Sequence, residues 1–150
     1  MEIFTIGYQG LNPEAFTAWL NRYHIDIVAD VRRRPQSRKK GFSKNSLRET
    51  LGENDIEYIG FPSLGPCKED RDELYKTGDY KGFFQKYLTF LHEQDQQQQI
   101  NELYGLVEEG KRVALLCFEH DPNTCHRTVL AQQIKKRSKN GFKIQHLEPF

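Results

Sequence analysis

The sequence predicts a three-layer α/β domain, a mostly parallel sheet of about five strands with helices on both faces. Two observations predict it. Short β-branched or apolar runs alternate with segments of helical periodicity along the 150 residues, and such alternation argues for a parallel sheet covered on both sides. The chain length fits a single domain spanning residues 1–150, large enough to bury a core without staples.

Ile3–Ile6 reads as the first strand, closed by Gly7. Asn12, Pro13 and Glu14 then supply an N-cap, an N1 proline and a first-turn acid. Phe16, Trp19, Leu20 and Tyr23 follow at helical spacing. Residues 25–31 form a β-branched second strand, and a basic segment, Arg32–Lys40, leaves it. Ser43 caps a short helix through Leu51, and residues 56–59 make a third strand. Residues 62–79 read as a long loop carrying scattered charge, of the sort that is often functional. A helical stretch from Tyr80 to Glu109 is interrupted near the glutamine patch 94–99. Residues 112–118 are the clearest buried strand. Asn123 or Thr124 caps the helix after it, and Lys143–Leu147 closes the sheet.

Composition narrows the function classes. Charged residues make up 29% and the net charge is +1, so no global field steers the chain to nucleic acid or membrane, and any electrostatic argument is local. Three cysteines, Cys67, Cys117 and Cys125, are too few and odd in number for a secreted disulfide scaffold and suit a reducing compartment. No 18-residue apolar run exists and the N-terminus lacks the pattern of a signal peptide. The expectation is a cytoplasmic protein with no membrane partner.

In parallel α/β sheets ligands bind beyond the carboxyl ends of the strands. That rule selects residues 7–11, 30–41, 62–79 and 117–127, where nearly every chemically interesting side chain lies. Six of the eleven residues 30–40 are basic, and guanidinium forks match phosphate or carboxylate oxygens. Arg32 and Arg38 are therefore candidate anion ligands. Asp30 can act as a general base or can orient a neighbouring arginine. Cys117 and Glu119 end the buried strand, and Cys125, His126 and Arg127 fall in the first turn of the next helix. The free N–H groups and dipole of that turn attract anions and favour a thiolate. Either cysteine can serve as a nucleophile, and either can be a small buried hydrophobe. No C-x₂-C pair is present, so no metal site is expected, and without a P-loop or dinucleotide glycine fingerprint no cofactor is expected.

These motifs resemble the domain-of-unknown-function 488 family. The resemblance rests on Thr5-Ile6-Gly7-Tyr8, on Asp30-Val31-Arg32 with Pro35, Ser37 and Arg38, on Gly41-Phe42, on Leu64-Gly65, and on Cys117-x-Glu119 with Cys125-His126-Arg127. At Tyr8 members often carry histidine or another polar residue. The resemblance implies a compact α/β domain with a pocket of cysteine and arginine, to which Gly7 and Tyr8 would contribute, and it implies no reaction. A fainter likeness to rhodanese-like and cysteine-phosphatase domains stays an analogy, because Cys117 and Arg127 stand ten positions apart and the tight loop of those domains is missing.

Two function classes follow. One is a small enzyme acting on a phosphate-bearing substrate, a nucleotide or nucleic acid. In it Arg32, Arg38 and Arg127 hold the anion, Asp30 or Glu119 does acid–base chemistry, and Cys117 or Cys125 is a nucleophile. The other is a non-catalytic nucleic-acid-binding module built on residues 32–40.

Overall fold

The computed structural model describes residues 1–148. Its sheet has five parallel strands, β1 (Glu2–Gly7), β2 (Ile27–Asp30), β3 (Glu57–Gly60), β4 (Val113–Cys117) and β5 (Lys143–Leu147), in the order β3-β2-β4-β1-β5. The six α-helices are α1 (Pro13–Arg22), α2 (Lys44–Glu53), α3 (Lys68–Thr77), α4 (Tyr80–Leu91), α5 (Gln94–Glu108) and α6 (His126–Lys135). The three-layer α/β architecture read from the sequence is the one observed.

Alternation along the strands divides the core. Phe4, Ile6, Val28, Ala114 and Leu116 face α1 and α2 and meet Phe16, Leu20, Leu47 and Leu51. Ile3, Ile27, Ala29, Val113 and Leu115 face the other way, against Tyr87, Leu91, Ile100, Leu103 and Leu130 of α4, α5 and α6. β1 and β4 are neighbours, yet α1 after β1 and α6 after β4 cover opposite faces. Such a point, where successive connections part to the two sides, opens a crevice at the strand ends. Among the described residues no helix is long and apolar enough to cross a membrane.

Local signals account for most boundaries. Asn12 Oδ1 accepts the Ala15 N–H at 2.8 Å and starts α1 as expected. The predicted break in the long helical stretch falls at His92–Glu93, just before the glutamine patch, which itself belongs to α5. Two expectations need correction. Residues 62–79 are not a continuous loop, because α3 occupies Lys68–Thr77. Only Leu74 of α3 is buried, so the helix has almost no apolar periodicity to read. The signals it does carry are first-turn acids Glu69 and Asp70 and a left-handed Gly78 cap at φ 69°. Ser43 stands at the N-cap of α2 but makes no capping bond. Its hydroxyl accepts from Ser37 N–H at 3.0 Å and donates to the Ser37 carbonyl at 3.2 Å, pinning the basic loop instead.

Candidate functional site

The loops after β1, β2 and β4 converge on one cleft of about 590 Å³, with α3 and the start of α6 forming its other walls. The β1 and β4 ends stay joined past the sheet, since Tyr8 N–H donates to Cys117 O at 3.2 Å and Gln9 N–H to Phe118 O at 2.8 Å. Gly7 permits this approach. A Cβ there would fall 1.7 Å from the Glu119 carbonyl oxygen, so only glycine fits. Gly65 plays the same part against the basic loop, with a Cβ position 2.3 Å from Arg33 N.

Asp30 ends β2 and is almost wholly buried. Its Oδ1 accepts from Arg32 N–H at 3.1 Å and Arg32 Nε at 2.8 Å. Its Oδ2 accepts from Arg32 Nη2 at 2.7 Å and the Tyr58 hydroxyl at 2.6 Å. Those four bonds use the acceptor positions of a carboxylate, which leaves Asp30 to orient Arg32 rather than to take a proton. Arg32 Nη1 donates to Tyr8 Oη at 3.2 Å and to Phe42 O at 2.8 Å. Burial disfavours its charge, but the hydrogen bonds and attraction of Asp30 outweigh that and hold its pKa above the ordinary range. Four of the five N–H donors of Arg32 are therefore engaged. Tyr8 stacks on Phe42 at 4.6 Å and lies under the Arg32 guanidinium at 5.3 Å, so this corner is rigid.

The cations with free capacity lie farther out. Arg34, Arg38, Lys39 and Arg71 line the cleft, and none is among the ion pairs of the described residues. The Nε of Arg71 is buried with no hydrogen-bond partner among the described residues. Arg33 is turned aside, donating to Gly65 O at 3.2 Å and resting over Phe90. Glu119 is the one carboxylate among the lining residues. Burial raises its pKa, against the opposing pull of Arg127 and Arg71. Phe118 and Tyr75, 44% and 74% exposed, set two aromatic faces in the cleft wall.

The end of β4 meets the start of α6. Cys117 and Cys125 form a disulfide and Cys67 is the free cysteine. Two free thiols were expected there. They pair because the sheet edge brings the last residue of β4 against the N-cap of α6. That N-cap is Cys125 itself, whereas Asn123 and Thr124 belong to a 3₁₀ turn capped by Asp121. His126 is buried, with Nε2 3.0 Å from the Val31 carbonyl. A carbonyl can only accept, so Nε2 carries the proton. Burial, first of all, pushes the His126 pKa down to about 4, which keeps the ring neutral. Nδ1 then faces Cys125 Sγ at 3.8 Å.

Arg127 is fully buried behind the cleft. Its Nη1 donates to Glu119 O and lies 3.2 Å from Cys117 Sγ, and its Nη2 donates to His120 O at 3.2 Å. Its pKa is lowered to about 10, chiefly by burial, with Glu119 and Asp121 acting the other way. It clamps the β4–α6 loop.

Of the residues singled out in the sequence, Tyr8, Arg32, Arg38, Cys117, Glu119 and His126 line the cleft. Gly7, Asp30, Cys125 and Arg127 stand behind it as its supports. Arg71, Tyr75 and Phe118 lie in segments that the strand-end rule selects but were not singled out there, and Tyr58 lies outside those segments. The first two lie on α3, whose charge pattern and Gly78 were the only signals.

No curated protein and no solved structure shows significant similarity to the chain. A family model does match, described as "Domain of unknown function DUF488", over residues 12–134. That span takes in the basic loop, α3, the Cys117-x-Glu119 strand end and the Cys125-His126-Arg127 helix start, and the chain belongs to the DUF488 family.

Proposed function

We propose that the cleft binds a phosphate-bearing substrate, a nucleotide or a segment of nucleic acid, and that the chain is an enzyme acting on it. One observation carries this reading. Arg34, Arg38, Lys39 and Arg71 surround a cleft whose lining holds a single carboxylate, Glu119, and none of them forms an ion pair among the described residues. Structural arginines are ordinarily paired, as Arg32 is with Asp30. Unpaired guanidinium groups facing one space suit the bidentate capture of phosphate oxygens. Glu119, half-buried on the same wall, is the group placed to give or take a proton. With the Asp30 oxygens engaged by Arg32 and Tyr58, acid–base work falls to Glu119.

Phe118 and Tyr75 support a nucleotide over a bare phosphate ester, because an exposed aromatic face beside cations accepts a base. The test is calorimetric titration with inorganic phosphate, a nucleoside monophosphate and the matching nucleoside. Phosphate and nucleotide should bind, the nucleotide more tightly, and Arg71→Gln should weaken both at least tenfold. Equal affinity for the uncharged nucleoside would overturn the reading.

The exposed residues Arg34, Arg38 and Lys40 favour a second reading, a nucleic-acid-binding module without catalysis. It predicts strand binding without turnover.

A further inference from the structure

The geometry points to a metal site at the floor of the cleft. Once the Cys117–Cys125 disulfide is opened, the two thiolates and the His126 imidazole hold one divalent ion of the zinc class.

One donor atom from each of these residues lies within 4.8 Å of the others. All three side chains are buried. His126 is oriented for the task. Its Nε2–H is fixed on the Val31 carbonyl at 3.0 Å, so the Nδ1 lone pair is directed to the cysteines, with Cys125 Sγ 3.8 Å away. An imidazole bound to metal through one nitrogen and anchored through the other is the usual outer-shell arrangement of such sites. The Cα atoms of Cys117 and Cys125 are 7.4 Å apart, wider than the roughly 4.4–6.8 Å that disulfides commonly span. Two sulfurs at about 2.3 Å from one tetrahedral ion stand about 3.8 Å apart, so the backbone suits separated thiolates.

The surroundings fit this charge. Arg127 Nη1, 3.2 Å from Cys117 Sγ, becomes a donor to a thiolate ligand. Two thiolates neutralise the ion, which makes its burial beside Arg127 affordable in a medium of low dielectric. Cys117 and His126 also line the cleft, while Cys125 lies behind it. The fourth coordination position therefore opens on the cleft. Three protein ligands and one open position are the pattern of a catalytic rather than a structural zinc. Glu119 Oε2, 3.5 Å from Cys117 Sγ, stands beside the ion as a carboxylate outside the ligand set. Thiolate and imidazole donors select zinc over magnesium or calcium.

The redox step balances simply. A dithiol reductant gives two electrons and two protons to the Cys117–Cys125 bond and becomes a disulfide itself. The incoming ion then displaces both thiol protons.

Cobalt(II) tests the site without any substrate, and so independently of the phosphate reading. The protein, reduced with a phosphine and freed of reductant under nitrogen, is titrated with Co(II). One equivalent should give tetrahedral d–d bands and thiolate-to-cobalt charge transfer, and zinc should bleach both. Cys67→Ser and Arg38→Gln should leave the titration unchanged. Cys117→Ser and Cys125→Ser should each lose charge-transfer intensity, and His126→Gln should weaken binding at least tenfold. Bound zinc should protect Cys117 and Cys125, but not Cys67, from alkylation in the wild-type chain, a readout that needs no variant to fold. Reduced wild-type protein that gives no thiolate-to-cobalt band, or zinc that protects neither cysteine, would overturn the proposal.

Discussion

Asp30 and Arg32, two residues apart at the end of β2, form a buried bidentate ion pair with both oxygens and two guanidinium nitrogens engaged at 2.7–2.8 Å. Tyr58 from β3 and Tyr8 from the β1 loop bond to the two members of the pair. Three strand ends are thus tied through one charge pair before any ligand arrives. The pair also fixes the start of the loop that carries the outer cations Arg34, Arg38 and Lys39.

Breaking the pair should cost more than any surface charge. Asp30→Asn leaves the buried guanidinium without its counter-charge, and such a change typically costs about 3–5 kcal/mol. Tyr58→Phe removes one hydrogen bond to a carboxylate, expected at about 1.5–3 kcal/mol. Urea denaturation of the two variants checks the order. An Asp30→Asn protein as stable as wild type would mean that the pair does not hold the loop.

Gly7 and Gly52 make a matched test of close approach. Gly7→Ala puts a methyl 1.7 Å from the Glu119 carbonyl, and overpacking of this kind costs about 1–3 kcal/mol or more. At Gly52, inside α2, an added Cβ meets nothing within 4 Å, so alanine should stabilise by about 0.5–1 kcal/mol. The two midpoints in urea should move in opposite directions, and binding in the cleft should fall only for Gly7→Ala.

How much of this was legible follows from where each signal resides. The strands, α1 and α6 announced themselves because burial on one or two faces imposes a period. The strand-end rule then located the cleft, since Tyr8, Arg32, Arg38, Cys117, Glu119 and His126 all reach it. It could not separate lining from support. Asp30 could be read as a base or as the orienter of a neighbouring arginine, and its partners are Arg32, two residues on, and Tyr58, 28 residues away, while those of Arg127 are loop carbonyls. Arg71 was invisible because α3 buries a single leucine. The Cys117–Cys125 contact was hidden by the same logic, since no short-range spacing encodes it and only the meeting of β4 with α6 creates it.

Acid should unfold the disulfide-bonded chain in a window set by His126. Its pKa is pushed down to about 4 in the folded state, against about 6.5 in an unfolded chain. Between those values the unfolded chain binds the proton and the folded chain does not, so stability rises with pH. The contribution is complete above pH 6.5, declines as pH falls through the window, and is gone below the folded value. Its size is about 3 kcal/mol by the usual conversion. His146, also lowered by burial, acts with the same sign. Glu119, raised by burial, acts oppositely. Urea midpoints at pH 7.5 and 4.5 for wild type and His126→Gln isolate the term, and the drop between the two pH values should be smaller in the variant. An equal drop in both would remove His126 as its cause.

The two readings of the cleft part at Lys40 and Arg71. Lys40 is exposed on the basic loop and lies outside the cleft, whereas Arg71 lies within it on α3. A nucleic-acid footprint counts both as phosphate contacts of similar weight. With three or four contacts on duplex DNA, log affinity should fall against log salt with a slope of about −3 to −4. Lys40→Ala should then flatten that slope by about one and weaken all sequences alike. A pocket for a small phosphate ester treats the two unequally. Arg71→Gln would be severe, at least tenfold in affinity, and Lys40→Ala nearly silent. A fluorescence titration of a labelled oligonucleotide from 20 to 200 mM salt, run beside a nucleotide titration on the same variants, decides the matter. A slope near zero with Lys40 freely replaceable sinks the nucleic-acid module. A steep slope that Lys40→Ala flattens, with no nucleotide affinity, sinks the small-substrate enzyme, because the unpaired cations would then belong to a strand lying across the cleft rather than to a ligand within it.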